Sequence, residues 1–535
     1  MTTSTSNLTI RSKRLLKGAV AALLMLSLPA WGVSGAELQG DPLMEQLPLY
    51  EVRTLAGSGE IGLLDGASRH AEFRTPTGLA ATSEGLLYVA DTGNHRIRQV
   101  TAASTTDSVG LDLGEDEQGG LLGAWNDGDR TSAAFDSVAG LTIDPSGAII
   151  IADPGNHAIR QMTPQGQVTT LAGDGILGLA DGEGQEARFY QPLDVAVSQE
   201  GIIYVADTLN HVIRKIEQGR VTTLTAPSAR VIEYYPGAVE AAGDYADGPI
   251  AAAKFNEPSG LAIDGQGNLY VSDTGNHLIR YIDFGAGTVR TVAGTSQAYG
   301  TGEAYAEGGY ADGPAGTAAF RSPRGLALTP EGGLLIADSL NHSIRYLKDG
   351  VVHTVAGTPE ETGKDDGLAL YAALNVPTDI ASLGDGAYAI ADSGNNRIRL
   401  LAAYQMPEGL TGDSRVKLLY GDERIPTDAD PIILSGTTFV PVRVLAERLG
   451  YQVEYEMAGR QIEVIRDERT YRLHQGDVTI RILDAGVQTT FTLNAAPFIQ
   501  EGRLYLPVRF FAEELGLDVQ WLPSSRSVLL RNPLF

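Results

Sequence analysis

A short run of polar residues has types and spacing that could carry chemistry. In ADTGNHRIRQV, residues 90–100, an Asp, an Asn, a His and an Arg lie close together. Alone, this set offers ligands for a metal ion or groups for acid–base catalysis. The phrase recurs six times, as ADTGNHRIRQV, ADPGNHAIRQM, ADTLNHVIRKI, SDTGNHLIRYI, ADSLNHSIRYL and ADSGNNRIRLL. Six copies of one set call for an explanation other than a single site.

Recurrence favours a structural role for this phrase. A catalytic centre needs different groups converging on one point, whereas identical groups at matching turns brace a repeated scaffold. Asp and Asn hydrogen-bond nearby backbone and tolerate turn conformations, and the Arg is expected to pair with an Asp of its own or the next repeat. The residues with this predicted role are Asp91, Asn94, Arg98, Asp153, Asn156, Arg160, Asp207, Asn210, Arg214, Asp273, Asn276, Arg280, Asp338, Asn341, Arg345, Asp392, Asn395 and Arg399.

The elements around the phrase form a fixed block. Eighteen residues before each repeated Asp stands a Phe or Leu, and eight residues before that an Asp-Gly pair begins, in all six copies. Within the block, short apolar runs alternate with turn signals, as in GLAATSEGLLYVADTGNHRIRQV at 78–100. Together with a following VTTLAG-type run, this predicts four antiparallel strands per repeat, which is typical of a β-propeller blade.

The copies also predict how the ring closes. The last phrase lacks its VTTLAG-type strand, while an unmatched copy, VRTLAG at 52–57, stands before the first Asp-Gly pair. The N-terminal strand is therefore expected to complete the sixth blade, which removes exposed sheet edges.

These residues resemble a known family. The pattern D-x-x-N-H-x-I-R, with P-x-G-L-A upstream, resembles the NHL repeat over residues 50–403, and the resemblance implies a six-bladed β-propeller. Four positions depart from it: Val138 replaces a Pro, Asp194 and Asp379 replace a Gly, and Asn396 replaces the His.

Function is expected where the repeats differ. Two insertions between blades, at 226–248 and 295–313, are rich in Tyr and Gly, and a third near 114–129 is acidic. Tyr supplies large, rigid contact area in recognition loops, although the Tyr residues could instead pack the long loops against the blades. The predicted ligand-binding residues are Trp125, Tyr234, Tyr235, Tyr245, Tyr299, Tyr305 and Tyr310.

The C-terminal region contains a duplication. Segments 435–464 and 501–530 align without gaps, and each predicts a strand, a short helix ended by Gly and a hairpin. This α+β unit resembles the copper amine oxidase N-terminal-like domain, also called a stalk domain, over 415–535. The resemblance implies an attachment or spacer module. Because the unit has one His, His474, copper is not expected.

The N-terminus predicts export. Basic residues precede the apolar run GAVAALLMLSL at 18–28, and small residues follow at 33–38, as in a secretory signal. The apolar run is too short to span a bilayer comfortably. The predicted organisation is a signal peptide over 1–36, the propeller over 37–405, a linker over 406–414 and the stalk domain over 415–535.

Composition narrows the function. The net charge of −26 excludes nucleic acid as an expected partner, and the lack of Cys excludes thiol chemistry and disulfides. No cofactor is expected, although the acidic surface is compatible with Ca²⁺. The sequence therefore predicts a secreted or cell-wall-associated, non-catalytic binding or scaffold protein for a protein, peptide or glycan of the cell envelope. The alternative, implied by propellers that this chain resembles, is a metal-dependent lyase or lactone hydrolase acting in the central channel.

Overall fold

The structure is a computed structural model. It describes residues 50–115, 121–235, 237–295, 299–300, 302–369, 371–404, 410, 415–421, 423–427, 429–456, 461–466, 468–484, 486–514, 517–522 and 525–531. The predicted signal peptide and all but one residue of the predicted linker lie outside this part of the chain. No helix among the described residues is long and apolar enough to cross a bilayer.

Each copy of the repeated phrase lies in its own antiparallel sheet, named here the first to the sixth sheet in chain order. From the outer edge inwards, the strands are Gly66–Ala67, Ser104–Val109, Arg96–Val100, Leu87–Asp91 and Pro76–Ala81 in the first sheet, and Val168–Ala172, Ala158–Met162, Ile149–Asp153 and Leu141–Ile143 in the second. In the same order they are Gly182–Glu183, Arg220–Thr223, Val212–Glu217, Ile203–Asp207 and Pro192–Val197 in the third sheet, and Gly248–Pro249, Thr288–Ala293, Leu278–Asp283, Leu269–Asp273 and Pro258–Ile263 in the fourth. They are Gly313–Pro314, Val351–Ala356, Ser343–Lys348, Leu334–Asp338 and Pro323–Leu328 in the fifth sheet, and Gly367–Leu368, Tyr50–Ala56, Arg397–Ala403, Ala387–Asp392 and Pro377–Gly384 in the sixth.

The sheets stand in a closed ring. The innermost strand of each sheet contacts the innermost strand of the next, and that of the sixth contacts that of the first. The ring is the β-propeller architecture that the sequence predicts. As predicted, the N-terminal strand Tyr50–Ala56 pairs antiparallel with Arg397–Ala403, so the sixth sheet combines the two ends of the ring.

The propeller core lies between neighbouring sheets. In the second sheet, the strand next to the innermost one, Ile149–Asp153, is buried at every residue because apolar side chains on both faces meet a neighbouring sheet. A fully buried Phe supports five of the sheets, and Leu374 takes its place in the sixth. These Phe residues are the positions that precede the repeated Asp by eighteen residues, namely Phe73, Phe135, Phe189, Phe255 and Phe320.

The C-terminal unit has α+β architecture, with two short helices, Val442–Arg448 and Arg509–Glu513. Its three sheets contain Glu423–Arg424, Lys417–Tyr420, Ser527–Arg531 and Asp518–Leu522; Ile432–Leu434, Thr437–Pro441, Arg503–Pro507 and Phe498–Gln500; and Gln452–Glu456, Gln461–Arg466, Arg469–His474, Thr479–Asp484 and Val487–Thr492. Val440 lies opposite Leu506, its own equivalent in the second half, so a pseudo-twofold axis passes between them.

The two units are packed together. The carboxylate of Glu51 pairs with the guanidinium of Arg531 at 3.3 Å, and both side chains are buried. The backbone N–H of Leu368 donates to Oε1 of Gln520 at 3.0 Å. Leu410, the one described residue of the predicted linker, is buried beside Leu368 in the same apolar cluster. The C-terminal unit therefore docks on the sixth sheet, where the ring closes.

Candidate functional site

The repeated phrase forms one buried ion-pair network in each sheet. In the fourth sheet, the fully buried Arg280 binds Asp273 at 2.5 Å and the Asp-Gly residue Asp247 at 2.6 Å. Asp273 also accepts hydrogen bonds from the backbone N–H of Asn256 and from the side chain of Asn276. The other five sheets repeat this arrangement, always with Asp residues of the same repeat. The phrase therefore braces each sheet from within.

The His of the phrase instead links neighbouring sheets. Its backbone has a positive φ, which is 57° for His211. Its Nδ1 accepts a hydrogen bond from the backbone N–H of a residue shortly before the innermost strand of the next sheet. The pairs are His95 with Ser137, His157 with Gln191, His211 with Glu257, His277 with Ser322 and His342 with Val376. Oδ1 of Asn396 takes this role across the closure, accepting from Thr75 at 2.9 Å. The departure from His at this position preserves the hydrogen-bond acceptor.

Three of the predicted ligand-binding residues pack on the ion-pair network. Tyr245 covers the Arg280 guanidinium at 4.7 Å and its hydroxyl contacts Asp247 and Thr291, each at 3.1 Å. Tyr310 has the equivalent contacts in the fifth sheet. Trp125 lies over Arg160 and donates to Thr170 in the second. All three stand two residues before the Asp of an Asp-Gly pair, a shared register that the sequence displays.

Arg230 joins the two Tyr-rich insertions. Its guanidinium donates to the carbonyls of Glu303 at 2.6 Å and Ala304 at 2.7 Å, and it lies over the ring of Tyr299 at 3.7 Å. The hydroxyl of Tyr299 donates to Asn276, and burial raises its pKa. The first insertion carries a hairpin of Val231–Tyr235 and Ala238–Ala241, which holds Tyr234 and Tyr235. The insertions thus form one wall above the fourth sheet.

Tyr305 connects this wall to the centre of the ring. Its side chain is 47% exposed, and its hydroxyl donates to Glu257 at 2.9 Å. Glu257 directly precedes the inner strand of the fourth sheet. Burial raises the pKa of its carboxyl group. The charge of Glu257 acts on Arg324 of the fifth sheet, which faces the central channel. Tyr305 therefore links the wall to Glu257, directly before the inner strand of the fourth sheet.

A cavity of about 220 Å³ lies at one opening of the central channel, named here the channel mouth. It lies on the same side as the turns of the repeated phrase, because Thr92, Pro154 and Gly155 line it. Residues on the inner strands, or directly before the strand in the second sheet, line it from all six sheets. Among them are Thr77, Leu193, Asp194, Ser259, Arg324 and Asp379. A second cavity of about 360 Å³ lies on the other side of Asp194 and Asp379, which line both.

Asp194 and Asp379 occupy the same position in the third and sixth sheets. Each carboxylate accepts the N–H of the following residue, Val195 or Ile380, at 2.8 Å. Its second oxygen accepts an N–H from the next sheet, that of Leu261 at 2.8 Å for Asp194 and of Leu79 at 2.7 Å for Asp379. Burial raises the pKa of both carboxyl groups, and the charge of Asp379 raises that of Asp194 further.

The glycines of the neighbouring sheets make room for these carboxylates. A Cβ atom on Gly140 would lie 2.2 Å from Oδ1 of Asp194, and one on Gly325 would lie 2.4 Å from Oδ1 of Asp379. Side chains at these glycine positions would therefore collide with the carboxylates. Asp194 and Asp379, with Gly140 and Gly325 beside them, therefore form the part of the channel between its two cavities, named here the waist.

Arg324 supplies the positive charge of the cavity. It replaces the Thr, Ala, Leu or Ser found after the Pro or Val of the other inner strands. Within the described residues its guanidinium forms no hydrogen bond or ion pair, and its Nε is buried without a partner. Burial lowers its pKa, an effect that the charge of Glu257 opposes. Sequence reasoning missed this residue, although comparison of that one position across the six repeats would have found it.

Across the described ranges, no three His, Asp, Glu or Cys side chains come together as metal ligands. The three-His copper set of amine oxidases does not fit the C-terminal unit, whose one His is His474.

Comparison with protein families identifies both parts of the chain. The NHL repeat family matches residues 73–100, 189–216 and 255–280. The copper amine oxidase N-terminal domain matches residues 420–530. Both resemblances predicted from the sequence are confirmed, and the chain carries NHL repeats followed by a copper amine oxidase N-terminal domain.

Curated relatives match a little over half of the chain. Protein SUPPRESSOR OF QUENCHING 1, chloroplastic, of Arabidopsis thaliana is 30% identical over 305 residues, which cover 55% of this chain and 27% of the relative. NHL repeat-containing protein 2 of Bos taurus is 28% identical over 325 residues, covering 56% of this chain and 42% of the relative. The match thus spans less than half the length of each relative.

Solved structures resemble part of the chain at low identity. A structural genomics protein of unknown function from Bacteroides thetaiotaomicron is 19% identical, with a TM-score of 0.48, over 66% of this chain and 76% of its own. An auxiliary nutrient binding protein from Bacteroides thetaiotaomicron is 16% identical, with a TM-score of 0.47, over 66% and 77%.

Proposed function

We propose that this is an exported, non-catalytic binding protein that receives its ligand at the channel mouth of the propeller. The observation that carries the proposal is the wall joined by Arg230, on the propeller face where the cavity of the central channel opens. The wall lies over the fourth sheet, since its two insertions follow the third and fourth sheets. An asymmetric wall over a symmetric scaffold is the arrangement expected of a recognition site.

The partner that we propose is a protein, peptide or glycan of the cell envelope. The predicted signal over 1–36 supports secretion or cell-wall association, and the net charge of −26 disfavours nucleic acid. The exposed ring of Tyr305 and the polar residue Gln191, which lines the cavity, suit a ligand that combines apolar and hydrogen-bonding surface. The alternative drawn from the sequence, a metal-dependent lyase or lactone hydrolase acting in the central channel, stays a prediction.

We propose further that the C-terminal unit attaches or spaces the propeller. Its docking on the sixth sheet, through Glu51 and Arg531, supports a fixed rather than a tethered arrangement. It also has a cavity of about 410 Å³ with an apolar lining and two basic residues, Arg443 and Arg503. Arg443 is exposed and forms no ion pair with a described residue.

Cosedimentation of the chain lacking residues 1–36 with peptidoglycan sacculi tests the attachment. We expect the protein to pellet, and Arg443→Ala to reduce pelleting more than Arg448→Ala, an exposed control on the same helix that pairs with Glu423. Equal pelleting of both variants would place attachment elsewhere. Absence of pelleting by the parent protein would reject peptidoglycan as the attachment target.

Binding of soluble muropeptides and of envelope proteins in solution tests the propeller face. Tyr305→Ala combined with Glu257→Gln should weaken binding of the ligand. Lys215→Ala, on the outer part of the third sheet, serves as the control because it contacts only Glu217. Unchanged binding by the channel-mouth variant would contradict the proposed site.

A further inference from the structure

We propose that the cavity at the channel mouth binds a small zwitterion, a molecule of amino-acid size that carries one carboxylate and one ammonium group. The inference rests on the proposed binding function and names its ligand class. Two independent observations carry it: an unpartnered guanidinium and a pair of carboxylates that line the same cavity.

The guanidinium of Arg324 points to an anionic group. Arg324 is half-buried, and its Nε is buried without a hydrogen-bond partner. A buried donor without an acceptor is costly, and a ligand that accepts from the guanidinium offsets that cost. Its flat fork of N–H donors matches a carboxylate in two-point geometry. Glu257 is the acidic residue whose charge acts on Arg324, yet the two form no ion pair. Glu257 instead accepts the hydroxyl of Tyr305, which leaves the guanidinium available.

The carboxylates of Asp194 and Asp379 point to a cationic group. Each oxygen of both carboxylates accepts one backbone N–H, and a carboxylate oxygen can accept a second hydrogen bond. These spare acceptor sites line the floor of the cavity. An ammonium group has three donors and a positive charge, which would relieve the repulsion between the two carboxylates.

Ligands of one sign satisfy only half of this site. A metal cation would neutralise the carboxylates and leave Arg324 without a partner. A simple anion would pair with Arg324 and add to the negative charge of the floor. A zwitterion satisfies both, and a cavity of about 220 Å³ accommodates a molecule of amino-acid size. The hydroxyl of Ser259 and the side chain of Thr77 line the space between and contribute further polar contacts.

Isothermal titration calorimetry on the chain lacking residues 1–36 tests the ligand class. The probes are the common L-amino acids and their D-enantiomers at millimolar concentration, with propionate and ethylamine as matched halves of alanine. At least one amino acid should bind, while compounds carrying only its acid or only its amine should bind at least about tenfold more weakly, because each half loses one charge-assisted contact. Binding of propionate as tight as alanine, or failure of every amino acid, would overturn the proposal.

Two variants test the site. Arg324→Gln should weaken amino-acid binding by roughly tenfold or more without lowering the thermal midpoint, since the guanidinium has no partner to lose. Arg321→Gln is the matched control, because Arg321 is exposed on the approach to the same strand. Asp194→Asn should weaken binding of the amine half as well. Equal affinity in Arg324→Gln and the parent would disprove the assignment.

The outcomes separate this inference from the proposed function. If muropeptides or envelope proteins bind at Tyr305 while no amino acid binds, the zwitterion site is wrong and the recognition face stands. If amino acids bind but substitutions at Tyr305 and Glu257 change nothing, the cavity is a small-molecule site independent of that face, and the proposed envelope ligand fails.

Discussion

Nδ1 of His211 accepts the backbone N–H of Glu257 at 3.1 Å, across the boundary between the third and fourth sheets. The acceptor must be unprotonated to form this bond. Burial lowers the pKa of His211 from 6.5 to about 4, so the ring stays neutral well below its usual range. At the ring closure, Oδ1 of Asn396 forms the same contact with Thr75 without a titrating group.

The substitution His211→Asn tests this linkage. Below pH 6.5 the unfolded chain binds a proton at this His, whereas the folded protein does not. The free energy of unfolding therefore decreases as the pH is lowered from 6.5 to about 4. The parent should lose about 2 kcal/mol relative to His211→Asn between about pH 7.5 and 4.5. Urea unfolding of both proteins across this range gives the difference. Parallel pH profiles would contradict the linkage.

Substitution of a buried network Arg should strongly destabilise the propeller. Arg280→Met leaves Asp273 buried without its cationic partner, which costs about 3–5 kcal/mol. Arg290→Met is the control, because Arg290 is exposed and only stacks on Tyr281. Its cost should be below about 1 kcal/mol. Chemical denaturation measures both, and similar values for the two variants would argue against the bracing role.

Deletion of the closing strand should abolish cooperative unfolding. Without residues 50–56, Arg397–Ala403 has an unpaired edge, and Asp366 loses the hydrogen bond from the N–H of Thr54 at 2.8 Å. Scanning calorimetry should show a broad transition in place of a single sharp one. Glu60→Ala, at an exposed position after the strand, should melt like the parent. A sharp parental transition in the deletion variant would show that closure does not depend on this strand.

Two Tyr residues from the predicted set should respond oppositely to truncation. Tyr245→Ala removes the ring over Arg280 and two hydroxyl contacts, so the free energy of unfolding should fall by about 1–2 kcal/mol. Tyr305→Ala should change stability by less than about 0.5 kcal/mol, since this side chain is 47% exposed. Ligand binding should show the reverse order. Thermal unfolding and the binding assay on both variants check this. Equal losses of stability and of binding in the two variants would show that Tyr245 and Tyr305 do not have separate roles.

The repeat positions show how far sequence carries the site. Trp125, Tyr245 and Tyr310 share one register, two residues before an Asp, which predicts a shared packing role once it is noticed. Arg324 could have been found by comparing one position across six copies. The joining of two insertions by Arg230 had no such signal, because its partners are backbone carbonyls in another loop.

By itself the sequence determined the repeat, its strands and the closing strand, because these depend on local hydrophobic patterning and on residues at constant spacing. It also determined the duplication that places Val440 opposite Leu506. Only the tertiary structure brought Asp194 and Asp379 to one waist and placed Arg324 above them. These residues come from three different sheets, and their proximity results from the closing of the ring. The charge balance of the cavity is therefore a property of the closed propeller, which no single repeat contains.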